Sequence, residues 1–135
     1  MNVNVYLPDD LGQRAKDADL PFSQLLREAV RDELRRRETV SETLEQVETY
    51  EIGLEDRDGY GYMGRITGKS IAYSETFGVQ VFLTNDERVI VYDERHLRHY
   101  ELSDPVEDLR GWIGNDAAQY FSAVEALGEK PVIDL

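Results

Sequence analysis

The chain has 135 residues, and its 28 Asp or Glu against 15 Lys or Arg give it a net charge of −13. It contains no cysteine, which excludes disulfides and thiolate metal ligands or nucleophiles, and no apolar run approaches the ~18 residues of a membrane span. We therefore predict a cytoplasmic protein of one or two small domains with no membrane partner, and the acidity argues against general nucleic-acid binding.

Residues 1–7 alternate between two kinds of side chain, which predicts a β-strand that ends at Pro8. Its apolar face consists of Val3, Val5 and Leu7, and its polar face of Asn2, Asn4 and Tyr6. A single strand buries nothing by itself, so this strand needs a partner. The nearest partner is the same strand in a second copy of the chain.

Two amphipathic helices are predicted next, over residues 9–18 and 22–38, with Asp9 as the N-cap of the first. About 38 residues cannot supply the core of a stable monomer, so we expect a homodimer or a higher homo-oligomer. The residues predicted to form the dimer core are Val3, Val5, Leu7, Leu25, Leu26, Ala29 and Val30.

The sequence NVNVYLP followed by DDLGQRAKDADLPFSQLLREAVRDELRR resembles the ribbon-helix-helix DNA-binding family of the Arc, MetJ and CopG type. The resemblance covers residues 1–38 and implies an intertwined dimer whose paired strands enter the major groove of a double-stranded DNA operator. By position, Asn2, Asn4 and Tyr6 would contact bases, and asparagine can bond bidentately to adenine. Phe22 and Ser23, at the start of the second helix, would contact phosphates.

The charge is divided unevenly along the chain. Residues 1–38 carry seven basic and eight acidic side chains, whereas residues 39–135 carry eight and twenty. A nearly neutral DNA-binding unit attached to an acidic one predicts specific rather than general DNA binding. The Lys-poor, acid-rich balance is similar to that of halophile proteins, with a high-GC bacterial source as the alternative.

We predict a dimerisation and DNA-binding domain over residues 1–40, a linker or helix extension over 41–46, and an α+β domain over 47–135. The last contains an antiparallel meander of about five strands, because its apolar residues recur with a period of two. A turn is expected at Asp58–Gly59 and the central strand at Val89–Tyr92. Tyr60, Tyr62 and Ile66 are expected to share one face.

Two helices are predicted to follow the meander and to cover the sheet. The first has Asp104 as N-cap, Pro105 at its first position and Glu107 at the capping-box position, and the second has Asn115 as N-cap. Residues 128–135 are expected to dock through their apolar side chains, which are Val132, Ile133 and Leu135.

The order of GRITG, a VFLT strand, an LR-containing helix and a terminal VIDL is similar to the EXLDI family of actinobacterial proteins. That resemblance implies little about activity and supports the two-part organisation of the chain.

Catalytic patterns are weak. His96 and His99 form an H-x-x-H pair, but that spacing does not place both rings on one strand face, so surface histidines are expected rather than a metal site. Residues 59–64 spell G-x-G-x-x-G without the strand-to-helix context of a phosphate loop. We predict no enzyme, no catalytic residues, no metal and no cofactor.

Three hypotheses follow. The leading one is a homodimeric, sequence-specific transcription regulator, a repressor whose residues 47–135 bind a protein or small effector or add oligomer contacts. The second is an antitoxin that represses its own operon and neutralises a toxin through its C-terminal part. The third is a protein-interaction module that uses the ribbon only to dimerise.

Overall fold

A computed structural model of the chain describes residues 8–19 and 21–135. The predicted N-terminal strand lies outside these residues. The described elements are α1 (Asp9–Asp17), α2 (Phe22–Thr43), β1 (Glu48–Glu55), β2 (Gly61–Ser74), β3 (Val79–Thr84), β4 (Val89–Asp93), β5 (Arg98–Glu101), α3 (Pro105–Ile113) and α4 (Ala117–Ala126). The chain divides into two compact units between Glu33 and Leu34. The predicted α+β class is confirmed.

The five strands form one antiparallel sheet in the order β1-β2-β3-β4-β5, which is the predicted meander. The central strand is β3, so the prediction that Val89–Tyr92 is central was wrong. Both β3 and β4 are apolar on both faces, and sequence pattern alone does not rank two such strands. The short, exposed β5 pairs with β4 and makes β3 the middle strand.

One core lies between the sheet and the helices. It joins alternate residues of β3 and β4 to the inward faces of α3 and α4 and to the end of α2. Its largest fully buried side chains include Leu83, Leu109, Ile113 and Val124. The two C-terminal helices therefore cover the sheet as predicted, and residues at the end of α2 join them.

A second core contains strand residues only. Its buried members are Ile52, Leu54, Ile66, Phe82, Ile90 and Tyr92. These residues are buried without a covering helix because the sheet curls around them: the Glu55 N–H donates to the Leu97 carbonyl at 3.0 Å, joining the end of β1 to the turn before β5. The Tyr92 hydroxyl adds a 2.7 Å bond to the Gly53 carbonyl.

Gly68 permits the curvature of β2. A Cβ at this position would lie 2.0 Å from the Leu83 carbonyl oxygen on β3, so the two backbones approach too closely for any side chain. The register between β2 and β3 then shifts between Ser70 and Ala72. Close approach and a bulge together bend the strand, as is usual where small sheets close.

Three predicted helix starts need correction. Pro8, not Asp9, is the N-cap residue of α1, and Asp116, not Asn115, is that of α4. In α3 the cap is Asp104, as predicted, but its N–H bonds to the Asp108 carboxylate at 3.1 Å rather than to Glu107. Asp116 and Asn115 have nearly the same capping chemistry, so sequence alone does not choose between them, whereas Pro8 precedes α1 without a side-chain cap.

Of the two remaining ends, the first takes one of the two predicted forms, a helix extension, and the second differs from expectation. Helix α2 continues beyond the Arg35–Arg37 run to Thr43, where the hydroxyl donates to the Ala126 carbonyl at 2.8 Å. The C-terminal segment is held by polar groups: the Val132 N–H donates to the Tyr120 hydroxyl at 3.1 Å, and Arg110 pairs with Asp134 at 2.7 Å. Its apolar side chains are exposed, so the prediction that they dock was wrong.

Candidate dimer and nucleic-acid interface

Helix α1 is short and polar, and its sequence accounts for both ends. Asp9 and Asp10 place carboxylates in the first turn, where the positive end of the helix dipole favours them. After the last turn, Asp19 has a φ of 53°, a left-handed conformation that ends helices and that aspartate tolerates. Ala15 is buried, whereas Leu11 is exposed. Helix α1 thus has defined ends and an apolar side chain that one chain leaves in solvent.

The first half of α2 has an apolar face that is uncovered in the single chain. Every residue from Pro21 to Val30 is exposed, and the exposed fraction is 44% for Leu25 and 51% for Val30. These residues fall at helical spacing, so their side chains share one face. The exposed apolar members of this face are Phe22, Leu25, Leu26, Val30 and Leu34. An apolar face of this kind marks an interaction surface.

The residues predicted to form the ribbon cannot be placed here. Asn2, Val3, Asn4, Val5, Tyr6 and Leu7 all lie outside the described residues. The second-helix part of the predicted dimer core is described, and Leu25, Leu26, Ala29 and Val30 lie together on the uncovered face of α2. Their role in a dimer stays a prediction.

The first turn of α2 contains the two residues predicted to contact phosphates, Phe22 and Ser23. The Leu25 N–H donates to the Pro21 carbonyl at 2.9 Å, which begins the hydrogen-bond ladder of the helix. The amides of Phe22 and Ser23 precede that first bond, where a helix provides no acceptor for them. Both residues are exposed. The amides of Phe22 and Ser23 thus have no acceptor within the helix, and phosphate binding there stays a prediction.

The histidine pair is not part of a metal cluster in residues 8–19 and 21–135, where no group of three or more potential ligands is found. His96 instead places Nδ1 2.8 Å from the Asp93 carboxylate, and His99 lies exposed on β5.

The glycines of the G-x-G-x-x-G pattern lie in the β1–β2 turn and in β2. Within the same described ranges, no helix has the length and apolarity needed to span a membrane.

Two tyrosines have raised pKa values with structural causes. A 2.7 Å hydrogen bond to the Glu94 carboxylate raises the pKa of the Tyr73 hydroxyl, and burial raises that of Tyr92. The Tyr92 hydroxyl serves as a donor that ties β4 to β1.

Sequence reasoning missed one exposed cluster. Tyr60, Tyr62 and Met63 lie at the turn end of the β1–β2 hairpin, and the exposed fraction of their side chains is 73%, 51% and 61%. The two tyrosines were predicted to share the face of Ile66, but only Ile66 is buried. The period-two alternation of residues continues into the part of the hairpin that extends beyond the core. The sequence feature that could have indicated this exposed cluster is the presence of three large side chains next to the predicted turn.

Comparison with known proteins gives one match. Residues 1–51 match the model of the post-segregation antitoxin CcdA family. The matched segment contains α1, α2 and the first half of β1. None of the curated proteins and none of the solved structures matches the chain.

The N-terminal segment is therefore similar to an antitoxin family of the ribbon-helix-helix type. This agrees with the class of resemblance predicted for residues 1–38. The similarity predicted between the C-terminal part and the EXLDI family is not shown by the comparisons and stays a prediction.

Proposed function

We propose that this chain is the antitoxin of a toxin-antitoxin pair and that it represses its own operon. The observation that carries the proposal is the match of residues 1–51 to the CcdA antitoxin family. The uncovered apolar face of α2 supports it, since a protein that works as a dimer needs such a face. Of the hypotheses drawn from sequence, the antitoxin replaces the general regulator as the leading one.

Dimerisation is the first step of the proposed function. A unit of fewer than about 40 residues rarely folds alone without a partner or a staple, and the chain has no cysteine. Burial of one Leu or Val side chain stabilises by about 1.5–3 kcal/mol, and a two-fold interface counts each residue twice. Burial of the face formed by Leu25, Leu26, Ala29 and Val30 would favour association, and this gain has to exceed the entropy that two chains lose when they associate.

DNA binding is the second step. In the dimer the paired strands would present Asn2, Asn4 and Tyr6 to bases, and the first turn of α2 would hold a phosphate. Because residues 1–38 are nearly neutral, counterion release contributes little and base contacts carry most of the affinity. The expected behaviour is selective binding to one operator with weak general affinity.

The DNA step is tested by titrating the purified protein with its own upstream DNA and with random DNA at several salt concentrations. The Asn2→Ala/Asn4→Ala variant should lose selective binding by about 30-fold or more, because each good contact with a base discriminates by about 1–3 kcal/mol and the variant removes two from each chain. Asn115→Ala, an exposed asparagine of the other unit, is the matched control. Equal binding by all three proteins would refute the assignment of the ribbon residues.

Neutralisation of a toxin is the third step. It distinguishes an antitoxin from a transcription regulator that has no toxin partner. Each gene that adjoins this one is expressed alone and together with this chain. Growth arrest by one neighbour, relieved by this chain and accompanied by a complex of the two purified proteins, is the expected result. If selective DNA binding is found but no neighbour is toxic or bound, the antitoxin assignment is wrong.

The regulator without a toxin is kept as the second candidate because of one observation. Residues 48–126 form a folded sheet and two helices with their own cores, whereas toxin-binding tails are often disordered until they bind. A folded domain is equally suited to an effector or an oligomer contact.

A further inference from the structure

The turn end of the β1–β2 hairpin, residues 55–63, presents a strongly exposed aromatic and methionine cluster. The exposed fraction of the side chain is 73% for Tyr60, 51% for Tyr62 and 61% for Met63. We propose that this hairpin end inserts into an apolar, basic-rimmed groove of the protein that this antitoxin neutralises. The inference rests on the proposed function and adds to it the surface that binds the toxin.

The hairpin end is rigid before any partner binds. The Asp56 carboxylate accepts hydrogen bonds from the Asp58 and Tyr60 N–H groups, both at 2.9 Å, and the Asp56 N–H donates to the Tyr60 carbonyl at 3.0 Å. Gly59 takes a φ of 81°, which closes the turn. Since the loop is already ordered, binding does not have to offset the entropy of folding it.

The two strands place the cluster on both sides of the hairpin. Tyr62 lies opposite Leu54 and Met63 lies opposite Gly53, so these neighbouring side chains project from opposite faces. Gly53 has no side chain, so Met63 has no directly opposite side chain on β1. A ridge that is apolar on both faces fits a groove better than a flat surface. Tyr and Met are also enriched at protein interfaces.

The charge around the cluster identifies the kind of partner. Glu55, Asp56 and Asp58 surround it with three exposed carboxylates against the single guanidinium of Arg57. Phosphates of DNA or anionic lipid would be repelled, and a second copy would bring the same carboxylates together. A protein groove with a basic rim complements this charge and would be steered to it.

The test uses the full chain and the neighbouring toxin that it neutralises. In one variant the cluster is removed by Tyr60→Ala, Tyr62→Ala and Met63→Ala. In the matched control, an equal number of exposed apolar side chains is removed from the other end of the domain by Phe121→Ala, Val132→Ala and Ile133→Ala. Fluorescence of the single tryptophan, Trp112, checks that both variants fold.

The hairpin variant should bind the toxin about 100-fold more weakly or worse and fail to relieve growth arrest, while the control and operator binding stay unchanged. Unchanged toxin affinity of the hairpin variant would overturn the inference and leave the antitoxin assignment intact. A change in the variant's oligomeric mass would instead assign the surface to a second copy. If the wild-type chain binds no neighbouring toxin, the proposed function fails and the inference fails with it.

A charge-reversal variant tests the basic rim separately. Glu55→Lys with Asp58→Lys should lower the association rate with the toxin about tenfold at low salt and much less at high salt. The same change placed at Glu45 and Glu125, two exposed glutamates outside the hairpin end, is the control. An association rate that is unaffected, or that is equally lowered in the control, would contradict a basic rim at this site.

Discussion

Leu26 in α2 is 36% exposed and Val30 is 51% exposed, whereas Leu83 in β3 is 1% exposed and Val81 is completely buried. All four are branched aliphatic residues in regular, clearly patterned elements. The strand finds its covering layers in the same chain, in the helices on one side and the curled sheet on the other. The first half of α2 does not find one in the single chain. An apolar face thus specifies burial, but not whether the covering surface belongs to the same molecule.

The largest expected effect tests the uncovered face. Leu26→Ala alters a two-fold interface twice, so at about 2–5 kcal/mol for each truncated side chain the proposed dimer should lose about 4–10 kcal/mol. Sedimentation equilibrium over a range of concentrations would show the change as a shift to half the mass. Gln24→Ala, a polar exposed position on the same helix, should leave the mass unchanged. If the wild-type chain remains monomeric at all concentrations, no second chain covers the α2 face. The proposed difference between α2 and β3 would then be wrong.

The next effect tests the covered face. Phe82 is completely buried in the second core and its ring centroid lies 5.0 Å from that of Tyr50. Phe82→Ala should lower the free energy of unfolding by about 3–5 kcal/mol. Urea unfolding followed by Trp112 fluorescence measures it, with Tyr60→Phe as an exposed control. The loss should not depend on protein concentration, and a strong dependence would show that this core also needs a second chain.

A smaller effect concerns the buried polar contact between the sheet and α4. Ser74 is completely buried, and its hydroxyl donates to the Asp116 carboxylate at 2.7 Å. Ser74→Ala leaves that oxygen without its partner and should cost about 1–3 kcal/mol in the same unfolding experiment. Exposed Ser103 provides the control substitution. Equal stability of the two variants would mean that water replaces the hydroxyl.

The smallest effect is a pH dependence at the β3–β4 turn. Hydrogen bonds from the Thr84 hydroxyl and then from Arg88 hold the pKa of Asp86 below its ordinary value of about 3.9. A lowered pKa means that the folded state favours the carboxylate, so this contribution is present above the ordinary pKa and is lost as the pH falls through the folded value. Asp86→Asn should flatten the acid side of the stability curve. An unchanged acid slope would show that the interaction does not stabilise the fold.

Much of the fold was predictable because local pattern and tertiary packing agree. The alternation in Val79–Leu83 and the turn at Asp58–Gly59 determine the strands and their sequential pairing. What failed was the choice between near-equivalent neighbours, as at Asp116 against Asn115, and the sequence pattern did not show that Tyr60 and Tyr62 are exposed. Alternation defines the faces of a strand, but the curl of the sheet decides where along the strand the core ends.

The candidate interface was predictable to a different degree. Helical spacing alone identified the α2 face that includes Leu25 and Leu26, because periodicity reports a shared face whichever molecule covers it. The proposed toxin-binding role could not be inferred by the same means. The shape and charge of a partner's groove depend on the partner's sequence. This chain contains only the hairpin end that would fit the groove.

The sequential strand order has a kinetic consequence. Each strand pairs with its neighbour in sequence, so most of the sheet requires only short loops to close, and low contact order favours rapid folding. The bond between Glu55 and Leu97 joins distant positions and is expected to form last, after the hairpins have assembled. The sheet domain can then be complete while newly made chains are still too dilute to meet. At low expression the sheet domain would fold at a rate set by chain connectivity. The proposed dimer of the N-terminal unit would form at a rate set by protein concentration.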